Sequence, residues 1–110
     1  MRTWRRLLKK AKVIITGEVE RAGYRVLRIL LFGSRARGEA RPDSDWDFFV
    51  ITDREMSPSQ RWDIVTQITH RFVEAGFCGD VFIQSQEVVE KRKGNTGFIT
   101  YYVLKEGVEV

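Results

Sequence analysis

The chain of 110 residues is long enough for one compact domain, expected to span residues 1–110, and too short for a second hydrophobic core. With 43% apolar and 31% charged residues, the composition excludes wholesale disorder and a fibrous fold. No apolar run approaches the roughly 18 to 20 residues that cross a bilayer, and the N-terminus lacks the apolar core of a signal peptide. We therefore expect a cytoplasmic protein.

Cys78 is the single cysteine, which excludes an internal disulfide and a thiolate zinc site, and we expect it to be a small buried residue. The net charge is +4, and basic residues crowd into residues 2–12 and 91–93. Such clusters attract the phosphates of nucleic acid, but they are also typical of solvated helix faces. Charge alone therefore does not identify a partner.

Helices and strands alternate in the first half of the predicted structure. Apolar residues recur at helical spacing over residues 4–22, which predicts a helix that ends at Gly23. Residues 24–32 are β-branched or large and apolar on both alternating sets, as is typical of a central strand covered on both faces. The next predicted elements are a short helical turn at residues 35–38, a polar loop at residues 39–44 that contains Pro42, and a second strand at residues 45–52.

The second half continues the alternation. Ser57 supplies an N-cap, Pro58 the first helical position, and Gln60 the partner three residues after the cap, so a helix begins here and ends at Gly76. The remaining predicted elements are a strand at residues 80–84, a polar helix at residues 86–92, an apolar helix carrying residues 98–103 and an edge strand at residues 108–110. This order predicts an α/β (α+β) fold in which helices flank a small mixed β-sheet.

Two aspartates open the second predicted strand. Successive side chains on a strand point to opposite faces, so Asp45 and Asp47 share one face while Trp46 and Phe48 point into a core. Two carboxylates at the edge of a buried strand repel each other unless a cation compensates, and hard divalent ions such as Mg²⁺ take oxygen ligands of this kind. The pair therefore predicts a metal site, although an isolated pair with this spacing is also found at solvated strand ends.

Asp80 is a third candidate acid because it opens the third predicted strand, although an aspartate after a glycine is also a common turn residue. If the second and third strands are neighbours, Asp45, Asp47 and Asp80 converge on one site. Three carboxylates are enough to hold two Mg²⁺ ions, or Mn²⁺ in their place, about 3.5 to 4 Å apart for an in-line displacement at phosphorus. We therefore predict that these three aspartates are the metal ligands and the catalytic residues.

Gly33 and Ser34 lie between a predicted strand and a helical turn, where free backbone N–H groups favour a bound phosphate. Ser34 adds a hydroxyl donor, and Gly33 allows the phosphate to come close. Arg37 has two interpretations, contact with a triphosphate or a salt bridge that braces the loop, since both use the same guanidinium group. The sequence therefore predicts a nucleotide-binding site at Gly33 and Ser34, to which Arg37 contributes in the first of its two interpretations.

Two motifs together resemble the signature of a known family. Gly33-Ser34-Arg35-Ala36-Arg37-Gly38, followed after a spacer by Ser44-Asp45-Trp46-Asp47-Phe48, is similar to the pattern of the minimal nucleotidyltransferase (MNT) proteins in the DNA polymerase beta-like superfamily. The likeness covers nearly the whole chain. It implies a polymerase-beta-like fold, a triphosphate on the Gly-Ser pair, metal on the two aspartates of the second motif, and Asp80 as the third acid.

The resemblance also implies an activity and a partner. Larger relatives carry a further domain that binds the acceptor, and we expect this chain to rely on a second protein instead. Stand-alone MNT proteins are similar to the antitoxin of toxin-antitoxin modules, whose toxin is a small helical RNase of the HEPN class. In that family the MNT protein can transfer AMP from ATP to a tyrosine of the toxin, so the resemblance implies a protein adenylyltransferase.

The sequence leaves two other functions open. The chain could neutralise its partner by contact alone, and the intact aspartates argue against that function without excluding it. Alternatively, the basic first helix could bind nucleic acid. Specific binding of this kind is disfavoured because no recognition motif is present and the three aspartates would repel phosphate in the absence of metal.

Overall fold

A computed structural model describes residues 2–41 and 44–110 of the chain, with only the backbone of residues 2 and 3. The elements in chain order are α1 (Arg2–Arg21), β1 (Val26–Phe32), α2 (Ser34–Arg37), β2 (Trp46–Thr52), α3 (Pro58–Glu74), β3 (Gly79–Ser85), α4 (Gln86–Arg92), α5 (Ile99–Glu106) and β4 (Val108–Glu109). Each predicted element is present, with its ends close to those predicted. Pro42 of the predicted polar loop lies outside the described residues.

The four strands form one mixed sheet in the order β3-β2-β1-β4. β1 is antiparallel to both β2 and β4, whereas β2 and β3 are parallel and are joined through α3. The predicted mixed sheet and the central place of the first strand are therefore confirmed. Because β2 and β3 pair directly, the two strands that carry the candidate acids are neighbours.

Each face of the sheet carries its own apolar layer, because successive side chains alternate between faces. α1 and α3 cover the main core, to which β1, β2 and β3 contribute buried residues such as Ile29, Phe48 and Val81. A smaller cluster on the other face joins β1 and β2 to α4 and α5 and consists of Leu30, Phe49, Ile51, Val89 and Val103. The predicted acids alternate with residues of the main core, and they therefore lie on the face with the smaller cluster.

α1 and α3 are joined by an ion pair as well as by apolar contacts. Nη1 of Arg71 in α3 donates to Oε2 of Glu18 in α1 at 2.8 Å, and Glu18 is only 8% exposed. A buried carboxylate needs such a partner, because leaving water unpaired costs several kcal/mol by rough estimate. Within the described ranges, no helix combines the length and the hydropathy needed to span a membrane.

Cys78 is exposed, so its predicted burial is wrong. It lies between Phe77 and Gly79, at the point where the chain enters the edge strand β3. Phe77 takes the inward position here, with its ring 4.6 Å from that of Phe72. The local sequence contains two apolar candidates for one inward position, and packing selects the larger side chain.

The start of α3 provides a test of local stability. Oγ of Ser57 accepts a hydrogen bond from the backbone N–H of Gln60 at 3.1 Å, and the Gln60 side chain accepts from the backbone N–H of Ser57, which completes the predicted capping box. Ser57→Ala should lower the free energy of unfolding by about 1 kcal/mol, because helix N–H groups lose their partner. Urea denaturation measures the loss. Ser59→Ala, in the same exposed turn, is the control, and an equal loss there would contradict the capping role.

Candidate active site

Asp47 and Asp80 face each other across the parallel strands β2 and β3, where they are register partners. Asp47 is half-buried and Asp80 is exposed. Asp45 is exposed just before β2, and its charge is also close enough to affect Asp47. The structure thus brings the three predicted acids to one end of the sheet. Among the described residues, however, no three acidic, histidine or cysteine side chains are placed closely enough to enclose one ion.

Burial and neighbouring negative charges both act on the Asp47 carboxyl. Its pKa is raised above the ordinary value of 3.8, first by burial and then by the negative charges of Asp80 and Asp45. Ionised carboxylates in this position favour a compensating cation, and their oxygen atoms are the ligands that Mg²⁺ prefers. The donor chemistry of these residues therefore suits a divalent ion, although the three described side chains are not gathered around one point.

Gly33 lies directly over the Asp47 carboxylate. A Cβ atom at position 33 would lie 2.5 Å from Oδ2 of Asp47, which is closer than atoms can approach. The φ of Gly33 is also 77°, in the region that favours glycine. Sequence reasoning assigned this glycine to the approach of a phosphate. The structure adds a second requirement, because any side chain here would displace Asp47.

Ser34 and Arg37 bound α2, which follows Gly33 immediately. Ser34 is half-buried at the first position of this short helix. Nε of Arg37 donates to Oε1 of Glu39 at 2.8 Å, so the salt bridge that was one of its two interpretations is present. Both partners of this pair are largely exposed, and such pairs contribute little stability. The pair is therefore a weak restraint on the guanidinium group.

Arg35 organises the site, although the sequence suggested no role for it. Its side chain is buried, with the guanidinium carbon 4.3 Å from the centre of the Trp46 ring and 5.9 Å from that of Trp4. Its Nη2 donates to the carbonyl oxygen of Ser44 at 2.7 Å. Arg35 thus ties α2 to the segment that leads into Asp45. The only sequence signal for this role was the presence of Trp4 and Trp46 as possible ring partners for an arginine. That signal does not show whether Arg35 or Arg37 is the buried residue.

The comparisons with known proteins identify the class of domain. Residues 9–110 match the family described as "Polymerase beta, Nucleotidyltransferase". The chain belongs to this family, which confirms the predicted superfamily and its fold.

A more particular likeness is to the protein adenylyltransferase MntA of Aphanizomenon flos-aquae (strain 2012/KM1/D3). The two sequences are 30% identical over 83 residues, which cover 72% of this chain and 52% of that protein. The chain thus spans about half the length of this relative. The likeness supports the predicted place among minimal nucleotidyltransferases.

The raised pKa of Asp47 leads to a prediction for the metal-free protein. A raised pKa means that folding is penalised while the carboxyl is ionised, and that the penalty fades as the pH falls toward 3.8. Asp47→Asn should therefore increase the free energy of unfolding at neutral pH, by at most about 1 kcal/mol because water screens the group. The gain should disappear near about pH 4, where both proteins carry a neutral side chain. Urea denaturation in EDTA across this range measures the difference.

Asp53 at the other end of β2 is the matched control for that experiment. The backbone N–H of Arg25 donates to Oδ1 of Asp53 at 2.9 Å and lowers the pKa of this carboxyl. The ionised form therefore favours folding, and Asp53→Asn should decrease the free energy of unfolding at neutral pH. If both substitutions change stability in the same direction, the assigned electrostatic cause is wrong.

Proposed function

We propose that this chain is a metal-dependent nucleotidyltransferase that transfers AMP from ATP to a hydroxyl group of a partner protein. The observation that carries the proposal is the Asp47–Asp80 pair, which lies across two parallel strands in a nucleotidyltransferase domain. The charge of Asp45 acts on the same carboxylate, and Gly33 leaves the space beside it free of side-chain atoms. This combination supports phosphate chemistry at the end of the sheet.

In the proposal, the site residues have separate roles in binding metal and in binding the triphosphate. Asp45, Asp47 and Asp80 would hold divalent metal, in the proposal two Mg²⁺ ions for which Mn²⁺ can substitute. Bound metal would supply neutralisation of the triphosphate and a lower pKa for the acceptor hydroxyl. Gly33 and Ser34 hold the triphosphate through backbone N–H groups and a hydroxyl, and the transfer itself needs mainly positioning and charge stabilisation.

The proposed transfer needs no reactant besides ATP and the acceptor hydroxyl. The acceptor oxygen forms a bond to the α-phosphorus of ATP while the bond from that phosphorus to the bridging oxygen breaks, and pyrophosphate leaves. The hydroxyl proton passes to solvent or to a nearby carboxylate. Asp80 is suited to accept this proton because it is the exposed member of the Asp47–Asp80 pair. Arg37 is placed on the turn after Gly33, where its guanidinium group can contact the triphosphate once its exposed ion pair opens.

The proposed acceptor is a protein because the relative MntA is named as a protein adenylyltransferase. Following the resemblance of the motif, we take the partner to be a HEPN-class toxin, the acceptor to be one of its tyrosines, and this chain to act as the antitoxin. The reaction would occur in the cytoplasm, where ATP, Mg²⁺ and such a toxin meet. An in-line attack requires the acceptor oxygen to be held about 3 to 3.5 Å from phosphorus, so docking of the partner is part of catalysis.

Substitution of the acids should lower the rate of transfer and leave the fold unchanged. Asp45→Asn and Asp47→Asn should each lower nucleotidyl transfer by about a hundredfold or more, because charge in the transition state is no longer neutralised. Asp80→Asn should lower the rate of the chemical step more than the affinity for ATP. Single-turnover transfer of labelled nucleotide measures the rates, and circular dichroism confirms the fold. Asp53→Asn should retain activity, whereas full activity of Asp47→Asn at saturating Mg²⁺ would rule out the metal assignment.

The acceptor can be tested by intact-mass spectrometry. The chain is incubated with ATP, Mg²⁺ and a purified HEPN-class protein encoded beside it, and the partner should gain the mass of one or more AMP units. Added EDTA, or Asp47→Asn in place of the native chain, should leave the partner unmodified, because either change removes the proposed metal site. A partner that is inhibited but carries no added mass would instead favour neutralisation by contact alone.

A further inference from the structure

A cavity of about 250 Å³ lies between α2 and α5, above the end of β1. Its lining consists of residues from β1, α2 and α5, namely Phe32, Ala36, Arg37, Ile99, Tyr102, Val103 and Glu106. Gly33 opens into the same space. Gly33 and Arg37 also belong to the site described above, so the cavity adjoins that site, whereas Phe32, Ile99 and Tyr102 had no role in it.

The lining is mainly apolar, with Arg37 and Glu106 as its charged members, and part of the apolar surface is exposed to water. Tyr102 is 49% exposed and Ile99 is 41% exposed, although both lie on the helix that covers this face of the sheet. Burial of such surface by a ligand is favourable, and an exposed tyrosine ring offers a stacking platform for another flat ring. At about 250 Å³ the cavity is smaller than the roughly 300 to 1,000 Å³ that hold drug-sized ligands. Its size and chemistry therefore suit a single planar ring system.

Gly33 connects this cavity to the acids. The position that its Cβ atom would occupy lies 2.5 Å from Oδ2 of Asp47, and the same glycine lines the cavity. Phe32 also connects the two, because it is the register partner of Asp47 on the same face and lines the cavity. A molecule whose phosphates lie beside Gly33 and Asp47, with their charge offset by metal that the aspartates would hold, therefore has its other end at the mouth of a mainly apolar cavity.

A nucleoside triphosphate has this distribution of charge, with a polyanionic chain at one end and a flat base at the other. We infer that the cavity between α2 and α5 is the nucleobase subsite, in which Tyr102 stacks on the base. This inference rests on the proposed function, since it takes the phosphates to lie at Gly33 and Asp47. It assigns α5 to substrate binding, in addition to its packing on the sheet through Val103.

The inference is tested by comparing two ligands that differ in the base. Isothermal titration calorimetry measures the affinity of the native chain and of Tyr102→Ala for ATP and for inorganic tripolyphosphate, both with Mg²⁺. Loss of a stacking contact should weaken ATP binding by about tenfold or more, whereas tripolyphosphate, which has no base, should bind both proteins equally. Tyr102→Phe keeps the ring and should retain the native affinity for ATP.

Lys105→Gln is the control, because Lys105 is an exposed residue of the same helix and does not line the cavity. It should leave the affinity for both ligands unchanged. Unchanged ATP binding by Tyr102→Ala, or equal weakening of both ligands, would overturn the subsite while leaving the proposed transfer intact. Failure of the native chain to bind either ligand would overturn the proposed function and the subsite with it.

An NMR titration of the native chain makes the test independent of whether the variants fold. ATP should shift the amide resonances of residues 99–103 beyond the shifts that tripolyphosphate produces, because only ATP fills the cavity. Both ligands should shift Gly33 and Ser34. Identical shifts of residues 99–103 with the two ligands would place the base elsewhere and overturn the assignment.

Discussion

The site depends on an apolar core that forces two like charges to lie side by side in the sheet. Asp47 and Asp80 are register partners, and their repulsion together with burial raises the pKa of Asp47. The residues that follow them, Phe48 and Val81, are buried in the main core beneath α1 and α3. A slip of one residue in either strand would turn such core side chains toward the other face. The apolar core therefore fixes the register and imposes the electrostatic cost.

The connection between β1 and β2 extends this constraint to the proposed phosphate site. Gly33 fits over the Asp47 carboxylate because it has no side chain, and α2 begins at the next residue. Arg35 then spans from α2 to Trp46 and to the carbonyl of Ser44. A cation that packs on aromatic rings and donates a hydrogen bond to the backbone restrains the loop. The proposed phosphate-binding residues and the acids are thus parts of one local framework.

The two faces of the sheet serve different purposes. α1 and α3 cover one face with a large apolar core and a buried ion pair, and that face carries the greater part of the stabilising burial. The other face has only the smaller cluster under α4 and α5. Its incomplete cover leaves the acids exposed to ligands and leaves space between α2 and α5. Stability is thereby concentrated on one side and ligand access on the other.

The sequence by itself determined the elements and the candidate acids, because both follow from local periodicity. Alternation on β2 was sufficient to predict that Trp46 and Phe48 are buried and that Asp47 between them points to the opposite face. The cap residues located the start of α3, and the order of elements indicated a mixed sheet. The family followed from a spaced motif and is confirmed by the match over residues 9–110.

Tertiary structure decided which residues meet. The pairing of Asp47 with Asp80, the contact of Gly33 with Asp47 and the burial of Arg35 each join residues from different elements, and they depend on register and packing. The prediction that Cys78 is buried was wrong for the same reason, since Phe77 rather than Cys78 occupies the space beside Phe72. Local periodicity predicts the face of a strand or helix on which a side chain lies, but only the packed chain determines which residues that side chain contacts.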